Sequence, residues 1–150
     1  MKRTINNLIL FVLLTTSISW IYCGDDDNPL APSKLAGTWT FVSLTDKSDN
    51  TTINAGDQVD FDGLTGTITG TLVLTETTFT ITFTITPTGA PPQTLGFSGT
   101  YTISGSTLTV VVSSSDIPDI DVGTSTFTIS RSGNRLTFED SEARFVYEKQ

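Results

Sequence analysis

The chain has 150 residues, a length that suits one domain with a real core and leaves little room for two. Its 8 basic and 16 acidic side chains give a net charge of -8, which repels nucleic acid and anionic headgroups and speaks against polyanion binding. A single cysteine excludes an internal disulfide, and the lack of histidine removes the usual general base, the commonest metal ligand and every Ser-His or Cys-His nucleophile pair.

Lys2 and Arg3 form a positive start. An apolar stretch over 8–22 follows, with Leu8, Ile9, Leu10, Phe11, Val12, Leu13 and Leu14 at its heart and Thr15, Thr16, Ser17 and Ser19 diluting its end. It is shorter than the ~20 residues a helix needs to span a bilayer, so it reads as the apolar region of a signal peptide over residues 1–22. Trp20-Ile21-Tyr22-Cys23-Gly24 then resembles the lipobox of bacterial lipoproteins. That resemblance implies cleavage before Cys23, acylation of its thiol (a diacylglyceryl, palmitate-type anchor) and a place in the bacterial cell envelope, at the outer membrane. An uncleaved anchor and ordinary secretion are the rival readings. Asp25-Asp26-Asp27 reads as a solvated spacer, or resembles the surface-export signal of some Bacteroidota-type lipoproteins. With Asn28-Pro29-Leu30-Ala31-Pro32-Ser33 it makes a tether over 23–33, ahead of a folded domain over 34–150.

Within that domain the governing signal has period two. Trp39 and Phe41 share a face in a strand from Trp39 to Leu44, and Ile68, Leu72 and Leu74 in one from Thr67 to Thr75. Phe79-Thr80-Ile81-Thr82-Phe83-Thr84-Ile85-Thr86 alternates without a break, a strand with one apolar and one threonine face. Phe97, Tyr101 and Ile103 share a face, as do Leu108, Val110 and Val112. Phe127 with Ile129, Leu136 with Phe138, and Phe145 with Tyr147 complete about eight strands. Turn signals at Glu76-Thr77-Thr78, Ser104-Gly105-Ser106, Ser132-Gly133-Asn134 and Asp140-Ser141-Glu142 point to an antiparallel meander. No amphipathic helix is expected after Cys23. Closing the meander into an up-and-down barrel removes two exposed edges, and a β-sandwich is the alternative.

Gly37-Thr38-Trp39 at the start of the first strand favours the barrel, because it resembles the Gly-x-Trp opening of lipocalins and related calycin barrels. The resemblance implies that Trp39 plugs the closed end and that an arginine of the last strand stacks over it. Arg144 is the expected partner, with Arg135 as the alternative. It also implies a small hydrophobic ligand, with Phe83, Tyr101, Val110 and Phe127 as expected lining.

Two segments break the strand rhythm and read as loops. Residues 46–64 hold Asp57, Asp60 and Asp62, a weak calcium candidate without the closing glutamate of an EF-hand. Turn capping by the same carboxylates is the plainer reading. Residues 113–123 hold Asp116, Asp119 and Asp121 beside Ile117 and Ile120, which could pack over a barrel mouth. Gly96-Phe97-Ser98-Gly99 lacks the spacing of a nucleophile elbow. The expectation is therefore a non-enzymatic, monomeric module without cofactor or metal, held to the membrane through Cys23. It either binds a small apolar molecule or serves as a filled structural or protein-interaction domain of the envelope.

Overall fold

Alternation of apolar and hydroxyl residues gives each long strand one face for a core and one for water. The computed structural model describes residues 28–61, 64–117 and 122–150. A short helix, α1 (Pro32–Leu35), leads into β1 (Gly37–Asp46), β2 (Thr51–Asn54), β3 (Gln58–Phe61), β4 (Leu64–Leu74) and β5 (Thr78–Pro87). β6 (Gln93–Ser104), β7 (Thr107–Ser115), β8 (Gly123–Ser132), β9 (Arg135–Glu139) and β10 (Ala143–Lys149) complete the chain. The sheet runs β2-β1-β10-β9-β8-β7-β6-β5-β4-β3, with antiparallel neighbours throughout. An additional pairing of β1 with β4 closes eight of these strands into the expected meander barrel. The sandwich alternative is set aside by that closure.

The ring closes only along Gly37–Thr40, whose residues pair with Thr71–Leu74. Beyond that point a register shift between Phe41 and Ser43 marks a bulge, where β1 turns from β4. Its outer half then pairs with β2, while the first half of β4 pairs with β3. The connection is pinned across the seam by Ala55 N–H to the Val42 carbonyl (2.9 Å), Gly56 N–H to Ile68 (2.7 Å) and Ile68 N–H to Asp57 (3.1 Å). The segment expected to be a loop over 46–64 thus contains two strands. Each has four residues and pairs with one barrel strand only, too short an alternation to stand out in Thr-Thr-Ile-Asn or Gln-Val-Asp-Phe.

The core runs the length of the barrel. At the closed end Leu35, Trp39, Leu72, Ile129, Leu136 and Tyr147 are essentially fully buried. Leu30 packs against the same cluster and α1 supplies Leu35, so part of the stretch read as tether packs on the domain. α1 is a single turn with Pro32 at its start, and the Ala36 N–H reaches the Pro32 carbonyl at 2.9 Å. Towards the other end Leu44, Ile68, Ile81, Phe83, Phe97 and Phe145 are partly buried, beside Ile85 and Val59, which are buried.

Close approach of strands fixes several glycines, Gly99 most tightly. A Cβ on Gly99, at the register shift between β6 and β7, would sit 1.9 Å from the Val111 carbonyl oxygen and 3.1 Å from the Phe79 ring. Gly99→Ala is expected to lower stability by about 2–3 kcal/mol through overpacking. Gly105→Ala, at a turn with φ +59° and open space around it, should cost about 1 kcal/mol from backbone strain alone. Chemical denaturation of the two variants checks the order.

Candidate functional site

The closed end is built around one indole. Gly37 has φ +131°, a conformation that favours glycine, and a Cβ there would also meet the Lys149 side chain at 3.4 Å. That bend carries the chain from α1 into β1 and sets Trp39 on the inward face. The Trp39 Nε1–H donates to the Leu35 carbonyl at 2.8 Å, so the buried indole is satisfied by the helix it packs under. Two cations lie over the ring: the Arg131 guanidinium at 5.5 Å and the Lys149 ammonium at 5.3 Å from its centre. Both also serve the last carbonyls of α1, which a helix end leaves unpaired. Arg131 Nη1 donates to Lys34 (3.0 Å) and Pro29 (3.5 Å), and its Nε to Gly133 (2.9 Å). Lys149 Nζ donates to Lys34 (3.3 Å) and Ala36 (3.2 Å).

The expected arginine is therefore corrected. Arg144 lies at the other end of β10, opposite Thr45, and its Nε donates to Glu139 at 2.8 Å. Arg135 stands opposite Glu148 and is exposed. Strand parity explains the exchange. Phe145 and Tyr147 point inward, which turns Arg144 outward and brings Lys149 into line with them. Arg131 likewise follows Phe127 and Ile129 along the inward face of β8.

Of the expected lining, Phe83, Val110 and Phe127 lie on inward faces and are partly buried. Phe83 meets Phe41 edge to face at 5.5 Å. Tyr101 belongs to the closed end instead: it is 3 % exposed, and its hydroxyl donates to the Thr75 carbonyl at 2.6 Å. Burial, and then the nearby Glu76 carboxylate, push its phenol above the ordinary range. Phe97 and Phe145 share the partly buried inward surface, although neither was singled out as lining; their alternation with neighbouring residues carried the signal.

The aspartate loop is occupied with its own turns. Asp57 Oδ2 accepts from the Asn54 backbone N–H (2.7 Å) and from its side-chain amide (3.0 Å). Asp60 sits on β3 opposite Thr65, and Asp62 falls outside the described residues, as does Cys23. Among the described residues no group of three or more His, Cys, Asp or Glu side chains is placed to hold a metal ion.

Charge is divided between the two ends. Around the open end stand Asp46, Asp57, Asp60, Asp116, Asp140 and Glu142, near Lys47 and Arg144. Around the closed end stand Lys34, Arg131, Arg135 and Lys149, with Glu76 and Glu148. At the open end Arg144 first, and then Lys47 at 3.3 Å, hold the Glu139 carboxyl below its ordinary value of 4.5.

A lipocalin-like protein from Bacteroides uniformis has a similar fold, with a TM-score of 0.50 and 16% identity over 77% of this chain and 98% of that one. An uncharacterised Bacteroides eggerthii protein matches at 0.48, with 9% identity over 77% of this chain and 98% of that one. A de novo designed fluorescence-activating β-barrel matches at 0.41, with 16% identity over 81% and 99%. No family model matches the chain, and no curated protein matches it by sequence. The fold is a lipocalin-like barrel.

Arg131→Met should cost about 1–2 kcal/mol, from the lost cation–π contact and the carbonyls left unpaired. Arg144→Met should cost under about 0.5 kcal/mol, as an exposed pair does. Because the Glu139 pKa is depressed, its contribution is present above pH 4.5 and is lost as the pH falls through its lowered folded-state value. Urea midpoints at neutral and acid pH should therefore show the Arg144 effect shrinking in acid.

Proposed function

We propose that the protein is a lipid-anchored bacterial envelope protein whose barrel takes up a small apolar molecule through its open end. One observation supports this reading: the inward side chains of Phe83, Phe97, Val110, Phe127 and Phe145 are only partly buried, whereas Trp39 and Leu136 have no exposure. An apolar interior open at one end and closed at the other is a container.

The anchor fits the same geometry. Asn28 to Ala36 dock at the closed end, through the Leu30 contact and the Arg131 and Lys149 bonds. Five residues from Cys23 to Asn28 reach at most about 18 Å. A lipid on Cys23 would therefore hold the closed end, with its basic side chains, towards the membrane. The acidic mouth would face away from it, the favoured orientation on an anionic surface.

The rival, an interaction module with a filled core, calls for a contiguous exposed apolar patch. Among the described residues the large exposed hydrophobics are Val73 on β4, Val111 on β7 and Val122 before β8, and β4 is not adjacent to the other two strands.

Native mass spectrometry of the chain without residues 1–22 and with Cys23→Ser, incubated with a lipid extract and then repurified, should show an apolar molecule bound one to one. Phe127→Glu should abolish that binding while leaving the β-sheet circular dichroism intact. An empty barrel after every extract would refute the proposal. The unsubstituted protein should carry an acyl mass on Cys23 and partition into detergent, and Cys23→Ser should release it to the aqueous phase.

A further inference from the structure

The outer wall of the barrel is divided by chemistry. Among the described residues, those of β4 to β8 that face away from the core are threonine, serine, glycine or valine. The outward charges Arg135, Glu139, Arg144 and Glu148 stand on β9 and β10, on the other side of the ring. The chain has 8 basic and 16 acidic side chains, and a protein surface commonly carries charge on about a quarter of its residues. Five neighbouring strands without one outward charge therefore set this wall apart.

Its most regular part is the ladder of β4 with β5, which runs from Gly66 opposite Pro87 to Leu74 opposite Phe79 without a register shift. Ile68, Leu72, Ile81, Phe83 and Ile85 take the inner side of that ladder. On the outer side Thr67 stands opposite Thr86, Thr69 opposite Thr84, and Thr71 opposite Thr82. β6 extends the rows, with Thr94 opposite Thr84 and Ser98 opposite Thr80. Neighbouring strands lie ~4.8 Å apart and alternate residues of one strand ~6.8 Å apart, so hydroxyls and methyls repeat in two dimensions. Threonine is β-branched and stiff about its first side-chain bond, which keeps the rows ordered at little entropic cost. Across β1 and β2 two such hydroxyls bond each other, Thr45 with Thr52 at 2.9 Å. The six threonines paired across β4 and β5 make no hydrogen bond through their side chains to the described residues, which leaves their hydroxyls to the solvent.

Charge complementarity restricts the partner of this face to an uncharged one, because a charged group would meet no counter-charge on it. The regular rows suit a partner that is itself periodic in two dimensions, which the surface of a folded protein is not. Neutral glycans are gripped through aromatic rings, and no aromatic side chain faces outward on β4, β5 or β6. The two repeats of the rows lie close to the oxygen repeats on the prism face of ice. Hydroxyls at that spacing can take up lattice positions, and the methyl groups between them hold the intervening water in order. We propose that the outer face of β4, β5 and β6 is an ice-adhesion face, on which the paired threonine rows bind the surface of an ice crystal. This is independent of what the barrel interior holds.

The test grows ice slowly from a dilute solution of the parent chain (residues 23–150, Cys23→Ser) and compares protein in the ice with protein in the remaining liquid. The parent should be enriched in the ice and should shape single ice crystals into facets, whereas an ordinary soluble protein is pushed into the liquid. Thr84→Lys places a charge in the middle of the rows, between Thr69 and Thr94, and should return the protein to the liquid. Thr71→Tyr, which breaks the same rows by bulk, should do likewise. Thr137→Lys, on the charged wall at β9, should behave as the parent does. Circular dichroism and melting curves of all four chains should agree, because each change lies on an outer face. Exclusion of the parent from ice would overturn the proposal, and so would equal capture of the parent and both row variants. Concentration-dependent dimers, or adsorption to insoluble cellulose, that Thr84→Lys abolishes in a parent excluded from ice would assign the face to a second copy or to a neutral glycan instead.

Discussion

β1 has to pair with two partners at once, and the way it does so sets the rest of the molecule. Along Gly37–Thr40 it is held between β4 on one side and β10 on the other, with Trp39 opposite Leu72 and Lys149. That short stretch closes the ring. It also places the indole where α1 can cover it, and where two cations can bridge from the ring to the helix carbonyls. Each group answers a need created by another. The indole N–H needs an acceptor, the end of α1 needs donors, and the cations keep a partner while partly withdrawn from water. The result is a floor made of local chain and both ends of the sheet.

Above the floor the requirement is relaxed. The bulge after Phe41 leads β1 away from β4, and β2 and β3 extend the wall on either side of the parting. The inward aromatic side chains there keep partial contact with solvent. The division of charge follows the same axis, basic near the floor and acidic near the mouth.

Much of this was legible in the sequence, because a half-buried strand writes its orientation into every second residue. The eight long strands, their order and the inward faces of Phe83, Val110 and Phe127 were readable for that reason. Gly37 and Trp39 were readable as a pair because one supplies a backbone bend and the other a plug. Arg144 was expected over Trp39 from resemblance, although strand parity alone, counted from Phe145 and Tyr147, points it outward and favours Lys149. β2, β3 and α1 were missed because four-residue segments carry too little pattern: β2 and β3 are short partners of the neighbouring β1 and β4, and α1 is held by Arg131 and Lys149 from far along the chain.

The claim on which the functional reading depends is that the interior is reachable from one end and sealed at the other. Thiol labelling of single cysteines placed on the inward face, in a chain whose Cys23 is replaced by serine, tests this directly. A cysteine at position 127 should react readily with a small maleimide in the native state, while one at position 136 should react only on unfolding. Equal protection of both would mean a solid core with no room for a guest, and would contradict the account.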